Sequence, residues 1–285
     1  MKKLFIVSLF AIFSLTCAAQ ELHPKAPAVP DYVDFAGDRI SFDREDLYER
    51  MDRELMAFTY MHTTSTLMLK RSVRYFAQVV PILKEKGIPE DLKYLMVIES
   101  NLDPKAVSTA GAAGLWQFMK STAKQYGLEV SEEVDERYNI EKETIAACKY
   151  LKEAYAKYGD WMTVAASYNA GLGGISKRLQ EQKEETALDL YLPEETSRYM
   201  FRILAAKLFM ENPARFGYEI DASQLYSYNK PAKVITVTGA IPSLVDFAKN
   251  HGVSYAALKR ANPWLRSDKL TNAGGKAYQI IIPNY

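Results

Sequence analysis

Only two cysteines, Cys17 and Cys148, occur in the 285 residues. Cys17 lies at the end of an apolar leader, so Cys148 has no partner for an internal disulfide and reads as a small buried hydrophobe. Histidine is almost as scarce. His23, His62 and His251 share no ligand spacing with one another or with cysteine, which argues against metal catalysis. Gly171-Leu172-Gly173-Gly174 is glycine-rich, but it follows a helical stretch and carries no P-loop lysine, so no cofactor is implied. Net charge is missing too: 36 basic against 35 acidic residues leave +1. That balance gives no case for nucleic acid or an anionic membrane as a partner. Beyond the leader, no apolar run is long enough to cross a bilayer.

The leader itself reads as an export signal. Lys2 and Lys3 are followed by an apolar run from Leu4 to Leu15, and Cys17-Ala18-Ala19 offers small residues for cleavage before Gln20. As a helix that run spans roughly 18 Å, short of a ~30 Å hydrocarbon core. An exported, periplasmic protein is expected, with no transmembrane segment after cleavage. A lipid anchor on Cys17 is the less favoured alternative, because Ser14-Leu15-Thr16 fits a lipobox poorly.

The rest of the chain is mainly helical by pattern. Residues 20–40, with Pro24, Pro27 and Pro30, read as a tether. Leu47, Met51, Leu55, Phe58 and Met61 recur at helical steps, and Phe76, Val79, Val80 and Leu83 continue them, with a kink or restart expected at Pro81. Pro89-Glu90-Asp91 opens a helix that runs to Glu99 and ends before Asp103-Pro104. Further helices are expected over about 121–126, 141–158 (stopped by Gly159), 161–170 (capped by Asp160) and from Pro193 to Asn212. The charged run 177–185 is a solvated face. Residues 216–232 read as a linker. After it, Val234-Ile235-Thr236-Val237 is a strand, two short helices follow, and Tyr278 to Ile282 is a closing strand, a β-α-α-β unit.

Glu99 is the residue with chemistry to explain. It ends the apolar run Tyr94-Leu95-Met96-Val97-Ile98. With an ordinary pKa near 4.3, about one glutamate in 500 is protonated at neutral pH. Desolvation at an apolar helix end lifts a carboxyl toward the range of a general acid. A glutamate turned to water is the bland alternative. Most glycosidases flank the scissile bond with two carboxylates, yet no acid occurs between Pro104 and Leu128. A reaction needing one carboxylate is favoured unless a second arrives from farther along the chain.

Ordered motifs add a family resemblance. Glu99-Ser100, Ser108, Gly111-Ala112-Ala113-Gly114-Leu115-Trp116-Gln117-Phe118-Met119, Ala166-Ser167-Tyr168-Asn169-Ala170-Gly171 and Glu195-Thr196-Ser197-Arg198-Tyr199 together resemble the lytic transglycosylases. The resemblance implies a lysozyme-like helical catalytic domain acting on peptidoglycan glycan strands, with Glu99 as acid and then base. It also implies that Ser108 and Gln117 bind sugar and that Met119 lines the cleft. Tyr168 and Asn169 would orient Glu99 or the acetamido group, and Tyr199 would close the site. By type alone, Tyr168 and Tyr199 are equally core aromatics and Asn169 a helix cap; Trp116 is either a sugar platform or core.

Val234 to Pro283 resembles a LysM module, although Gly239-Ala240-Ile241-Pro242 and Asn272-Ala273-Gly274-Gly275 depart from its usual turns. The expected division is a signal at 1–19, a tether and helical extension at 20–65 and the catalytic domain at 66–215. A linker at 216–232 and the LysM-like module at 233–285 complete it. A lysozyme-type muramidase of the same fold and a non-catalytic peptidoglycan-binding protein are the alternatives.

Overall fold

A computed structural model of the chain describes residues 25–284. The expected export signal, its cleavage site and the Cys17 anchor lie outside the described residues. Among those described, no helix is long and apolar enough to cross a membrane.

The fold is mainly helical with a small β-α-α-β unit at its end. The stretch read as a tether is not free. It contains a hairpin, β1 (Tyr32–Phe35) and β2 (Asp38–Ser41), paired antiparallel with Tyr32 opposite Ser41. Ala36 and Gly37 turn it with φ of 53° and 100°. Val33, Phe35, Ile40 and Phe42 are buried in the main core, each worth about 1.5–3 kcal/mol on burial. The Ala36 N–H donates to Asp91 Oδ2 at 2.9 Å, which fixes the turn to the rest of the domain.

Two long helices follow, α1 (Glu45–Tyr60) and α2 (His62–Glu85). The break falls at Met61, which is exposed, and not at Pro81, which sits inside a continuous α2 on its solvent side. A 3-10 turn at Glu90–Leu92 leads into α3 (Lys93–Ser100). Then come α4 (Lys120–Gln125), α5 (Ile140–Tyr158), α6 (Trp161–Ala170), α7 (Leu172–Gln182) and α8 (Glu194–Glu211). Local signals set the bounds of α5 and α6. Asn139 and Asp160 accept hydrogen bonds from first-turn amides, and Gly159 ends α5 with φ of 66°. Cys148 is buried on α5, which pushes its thiol up to about 11.

The 216–232 stretch lies along the helices. Tyr218 is buried and donates to the Thr59 carbonyl at 2.8 Å, and the Tyr226 N–H donates to the Lys70 carbonyl at 2.8 Å. The terminal unit pairs β3 (Lys233–Val237) with β4 (Tyr278–Ile282), antiparallel, around α9 (Leu244–Asn250) and α10 (Tyr255–Ala261). Asn262 is fully buried there. Its Nδ2 donates to the Ile281 carbonyl at 2.7 Å and its Oδ1 accepts from the Ile281 N–H at 2.8 Å, so it locks β4 in place.

Candidate active site

Five consecutive buried residues, Tyr94 to Ile98, make α3 a core helix, and half-buried Glu99 stands one residue before its end. The helix stops abruptly: Asn101 and Leu102 take φ of 52° and 56°. Two successive left-handed residues, one of them a fully buried leucine, are strained backbone. Ser100 holds the end from inside by donating to the Met96 carbonyl at 2.9 Å.

Glu99 keeps only part of its surface in solvent, and burial pushes its carboxyl up to about 7. Three groups on α8 act on it as well. The Tyr199 hydroxyl donates to Glu99 Oε1 at 2.5 Å and favours the ionised form. The Arg202 guanidinium, which donates to the Ile98 carbonyl at 3.3 Å, favours it too, whereas Glu195 opposes it. Residues 195, 199 and 202 share one face of α8 by helical spacing. Desolvation wins over the two stabilising groups.

Tyr168 links the glycine-rich loop to this site, bonding the Trp116 carbonyl while lying within electrostatic reach of Glu99. Ala113 and Phe118 exchange backbone hydrogen bonds at 3.1 Å, and the Gly114 N–H donates to the Ala106 carbonyl at 3.1 Å. Gln117 sits at φ of 50° inside this small ladder. Its Nε2 donates to the carbonyls of Gly114 and Ala106 at 2.7 and 3.1 Å, which leaves Oε1 as its uncommitted polar atom among the described residues. Ser108 is exposed and closes the loop's base, accepting from the Ala112 N–H at 3.0 Å. Met119 is exposed at the start of α4. Neither makes a polar contact with Glu99.

Trp116 is core. It is fully buried, its ring N–H donates to Thr144 Oγ1 at 3.0 Å, and its backbone N–H donates to Glu143 Oε2 at 3.2 Å. Glu143 is itself wholly buried, with Oε1 unpartnered, and burial pushes its carboxyl well above the ordinary range. Tyr168 donates to the Trp116 carbonyl at 2.8 Å, so both sides of the residue before Gln117 are pinned. Tyr168 lies within electrostatic reach of Glu99 but bonds Trp116 instead. Asn169 bonds neither: its Oδ1 accepts from Thr196 at 2.8 Å and its Nδ2 donates to Glu195 at 3.4 Å. The direct contact with Glu99 is therefore made by Tyr199.

Glu195 stands in the last of the ordered motifs, where its sequence context assigns it no role. It is an exposed second carboxylate that α8 brings toward Glu99, and its place one helical turn before Tyr199 was the available signal. Two cavities, of about 680 and 510 Å³, lie elsewhere, one between α1 and the start of α8 and one beside the terminal unit. Among the described residues no three His, Cys, Asp or Glu side chains converge as metal ligands.

Residues 82–190 match the model of the transglycosylase SLT domain, and residues 233–285 match that of the soluble lytic transglycosylase C-terminal LysM-like domain. Over 257 residues the chain is 26% identical to membrane-bound lytic murein transglycosylase D of Escherichia coli (strain K12), covering 87% of this chain and 55% of that protein. It is 38% identical over 92 residues to peptidoglycan transglycosylase gp16 of Escherichia phage T7, covering 31% of this chain and 7% of that one. Among solved structures, the 70-kDa soluble lytic transglycosylase of Escherichia coli matches with 19% identity and a TM-score of 0.41, over 66% of this chain and 34% of that chain. The chain spans about half the length of the first curated relative.

Proposed function

On a chain that carries a transglycosylase SLT domain and a C-terminal LysM-like domain, we propose that Glu99 cleaves the β-1,4 bond between N-acetylmuramic acid and N-acetylglucosamine in peptidoglycan. The carboxylic acid protonates the bridging oxygen as the C1–O bond breaks. The carboxylate then takes the proton of the muramoyl C6 hydroxyl, whose oxygen bonds to C1. A 1,6-anhydromuramoyl end forms, no water is consumed, and Glu99 returns to its acid form. One observation carries this reading: Glu99 closes the apolar run of α3 with Tyr199 on its Oε1, and burial there raises the carboxyl to about 7, where acid and base forms are both populated at neutral pH. Because Tyr199 donates to Oε1, the transferable proton belongs on Oε2.

The loop residues take supporting parts in this proposal. Gln117 offers Oε1 to a sugar N–H or hydroxyl, Ser108 adds a hydroxyl, and Met119 supplies an apolar edge. Asn169, held by Thr196 and Glu195, keeps one amide N–H for the oxygen of an acetamido group. A peptidoglycan substrate supports a periplasmic location, in keeping with the export signal expected in residues 1–19.

The kcat/KM profile on glycan fragments tests the acid. Activity is expected to be flat below about pH 7 and to fall about tenfold per unit above it. Tyr199→Phe removes a donor that favours the carboxylate, so the alkaline limb is expected to move up by about one unit. An unmoved limb would separate Tyr199 from the acid.

Glu195 supports a second reading, a muramidase in which that carboxylate activates water. In the favoured reading Glu195→Gln keeps cleaving, and its alkaline limb moves down, since a like charge beside Glu99 is gone. Loss of cleavage in Glu195→Gln, with reducing ends from the wild type, would favour the muramidase.

A further inference from the structure

The terminal unit does not stand apart from the catalytic domain. Val134 and Tyr138, buried, join Trp264, Leu265 and Tyr278 in one apolar cluster that also takes in Ala113 of the glycine-rich loop. Along the seam the Asp135 N–H donates to the Trp264 carbonyl at 2.9 Å and the Arg266 N–H to the Glu133 carbonyl at 2.8 Å. The Thr271 N–H and hydroxyl donate to the Glu133 carboxylate at 2.6 and 2.7 Å. Lys276 reaches Glu129 and Glu136 at 2.8 and 3.2 Å.

The residue gripped through its N–H by the module is the same one that holds Arg137. Asp135 accepts from Arg137 Nε at 3.0 Å and Nη2 at 2.8 Å, a bidentate pair with little solvent on either side. The remaining nitrogen, Nη1, donates to the carbonyls of Gly111 at 2.8 Å and Phe118 at 3.1 Å. Those carbonyls are the two ends of the segment that carries Gln117. One guanidinium thus ties the module's contact point to both ends of the loop.

We propose that the C-terminal module is a brace for the 111–118 loop, acting through Asp135 and the positioning residue Arg137, and so forms part of the catalytic unit. A flexible tether would only raise local concentration at the wall. A brace sets the geometry of Gln117 on every substrate, including soluble ones. The link to catalysis rests on the glycan-cleaving activity proposed above; the mechanical coupling does not.

Amide hydrogen exchange on the full chain tests the coupling. Arg137→Lys keeps the charge but loses the fork, so it cannot hold Asp135 and two carbonyls together. The Ala113, Gly114 and Phe118 amides are expected to exchange at least about tenfold faster in it, with the β3–β4 amides unchanged. Unchanged loop amides would overturn the proposal. In the seam variant Val134→Asp/Lys276→Glu, the Asp135 and Arg266 amides report opening of the seam. Loop amides that speed up with them support the brace, and loop amides that keep wild-type rates while the seam opens contradict it. On a soluble glycan tetrasaccharide, Arg137→Lys is expected to lose about tenfold in kcat/KM with wild-type retention on insoluble wall. A wild type that cleaves no glycan would sink the activity and leave the exchange result to decide the brace.

Discussion

Glu99→Gln is expected to lose at least about 10³-fold in turnover while becoming more stable at neutral pH. A positioned general acid contributes about 10²–10⁴-fold. Here one carboxyl serves both the protonation and the deprotonation, so the upper end applies, about 4 kcal/mol or more of barrier. The amide keeps the acceptor oxygen that Tyr199 bonds and has no proton of suitable acidity to give. The stability gain follows from the same burial. Between the ordinary value of 4.5 and about 7, the folded chain binds a proton that the unfolded chain has released. Folding stability from this group is therefore full below 4.5 and is lost as pH rises to 7. The shift corresponds to about 3 kcal/mol at most, and partial solvent access brings it to about 1–2 kcal/mol. Thermal unfolding at pH 7.5 should show the variant melting about 2–6 °C higher. The difference should vanish at pH 4. A gain that is the same at both pH values would detach it from ionisation of Glu99.

Gly114→Ala is expected to be the most damaging small substitution in the loop. Gly114 has φ of 86°, and a Cβ there would lie 1.8 Å from the Arg137 carbonyl oxygen and 2.4 Å from Glu143 Oε2. The first is backbone and the second is wholly buried, so neither can swing away. Left-handed strain of about 1–3 kcal/mol adds to an overpacking cost of about 1–3 kcal/mol. A loss near 3–5 kcal/mol is expected in denaturant unfolding. In whatever remains folded, displacement of Gln117 should lower kcat/KM by about 10²-fold. By contrast, Gly111 has nothing near its Cβ position, so Gly111→Ala, though strained at φ of 86°, should cost less. Equal stability losses for the two would show that φ alone, and not the close approach, sets the cost.

What the sequence made legible was mostly local. Asp160 and Gly159 bound their helices where a cap and a left-handed stop belong, because each signal acts within one turn. Glu99 stood out as a charge ending an apolar run, and the structure gives that position its burial. The hairpin at 32–41 was hidden by the prolines before it and by a turn opening on Ala36, which lacks the usual Asn-Gly or Asp-Gly signature. Trp116 could not be placed, since a sugar platform and a core position ask for the same side chain; its bond to Thr144 and full burial decide for the core. Glu195 was visible as part of a motif, but its approach to Glu99 was not, because α8 carries it there from a distant part of the sequence. The module's seam was out of reach for the same reason. The Glu129 and Glu133 carboxylates find their partners only when the chain's last sixth folds back onto them.

The central claim is that Glu99 alone drives an intramolecular cleavage. Mass spectrometry of fragments released from purified peptidoglycan, with Glu99→Gln as control, tests it most directly. The account predicts fragments lighter by one water than the corresponding reducing muropeptides, and none from the variant. Reducing ends from the wild type, or the same anhydro fragments from a folded Glu99→Gln protein, would contradict it.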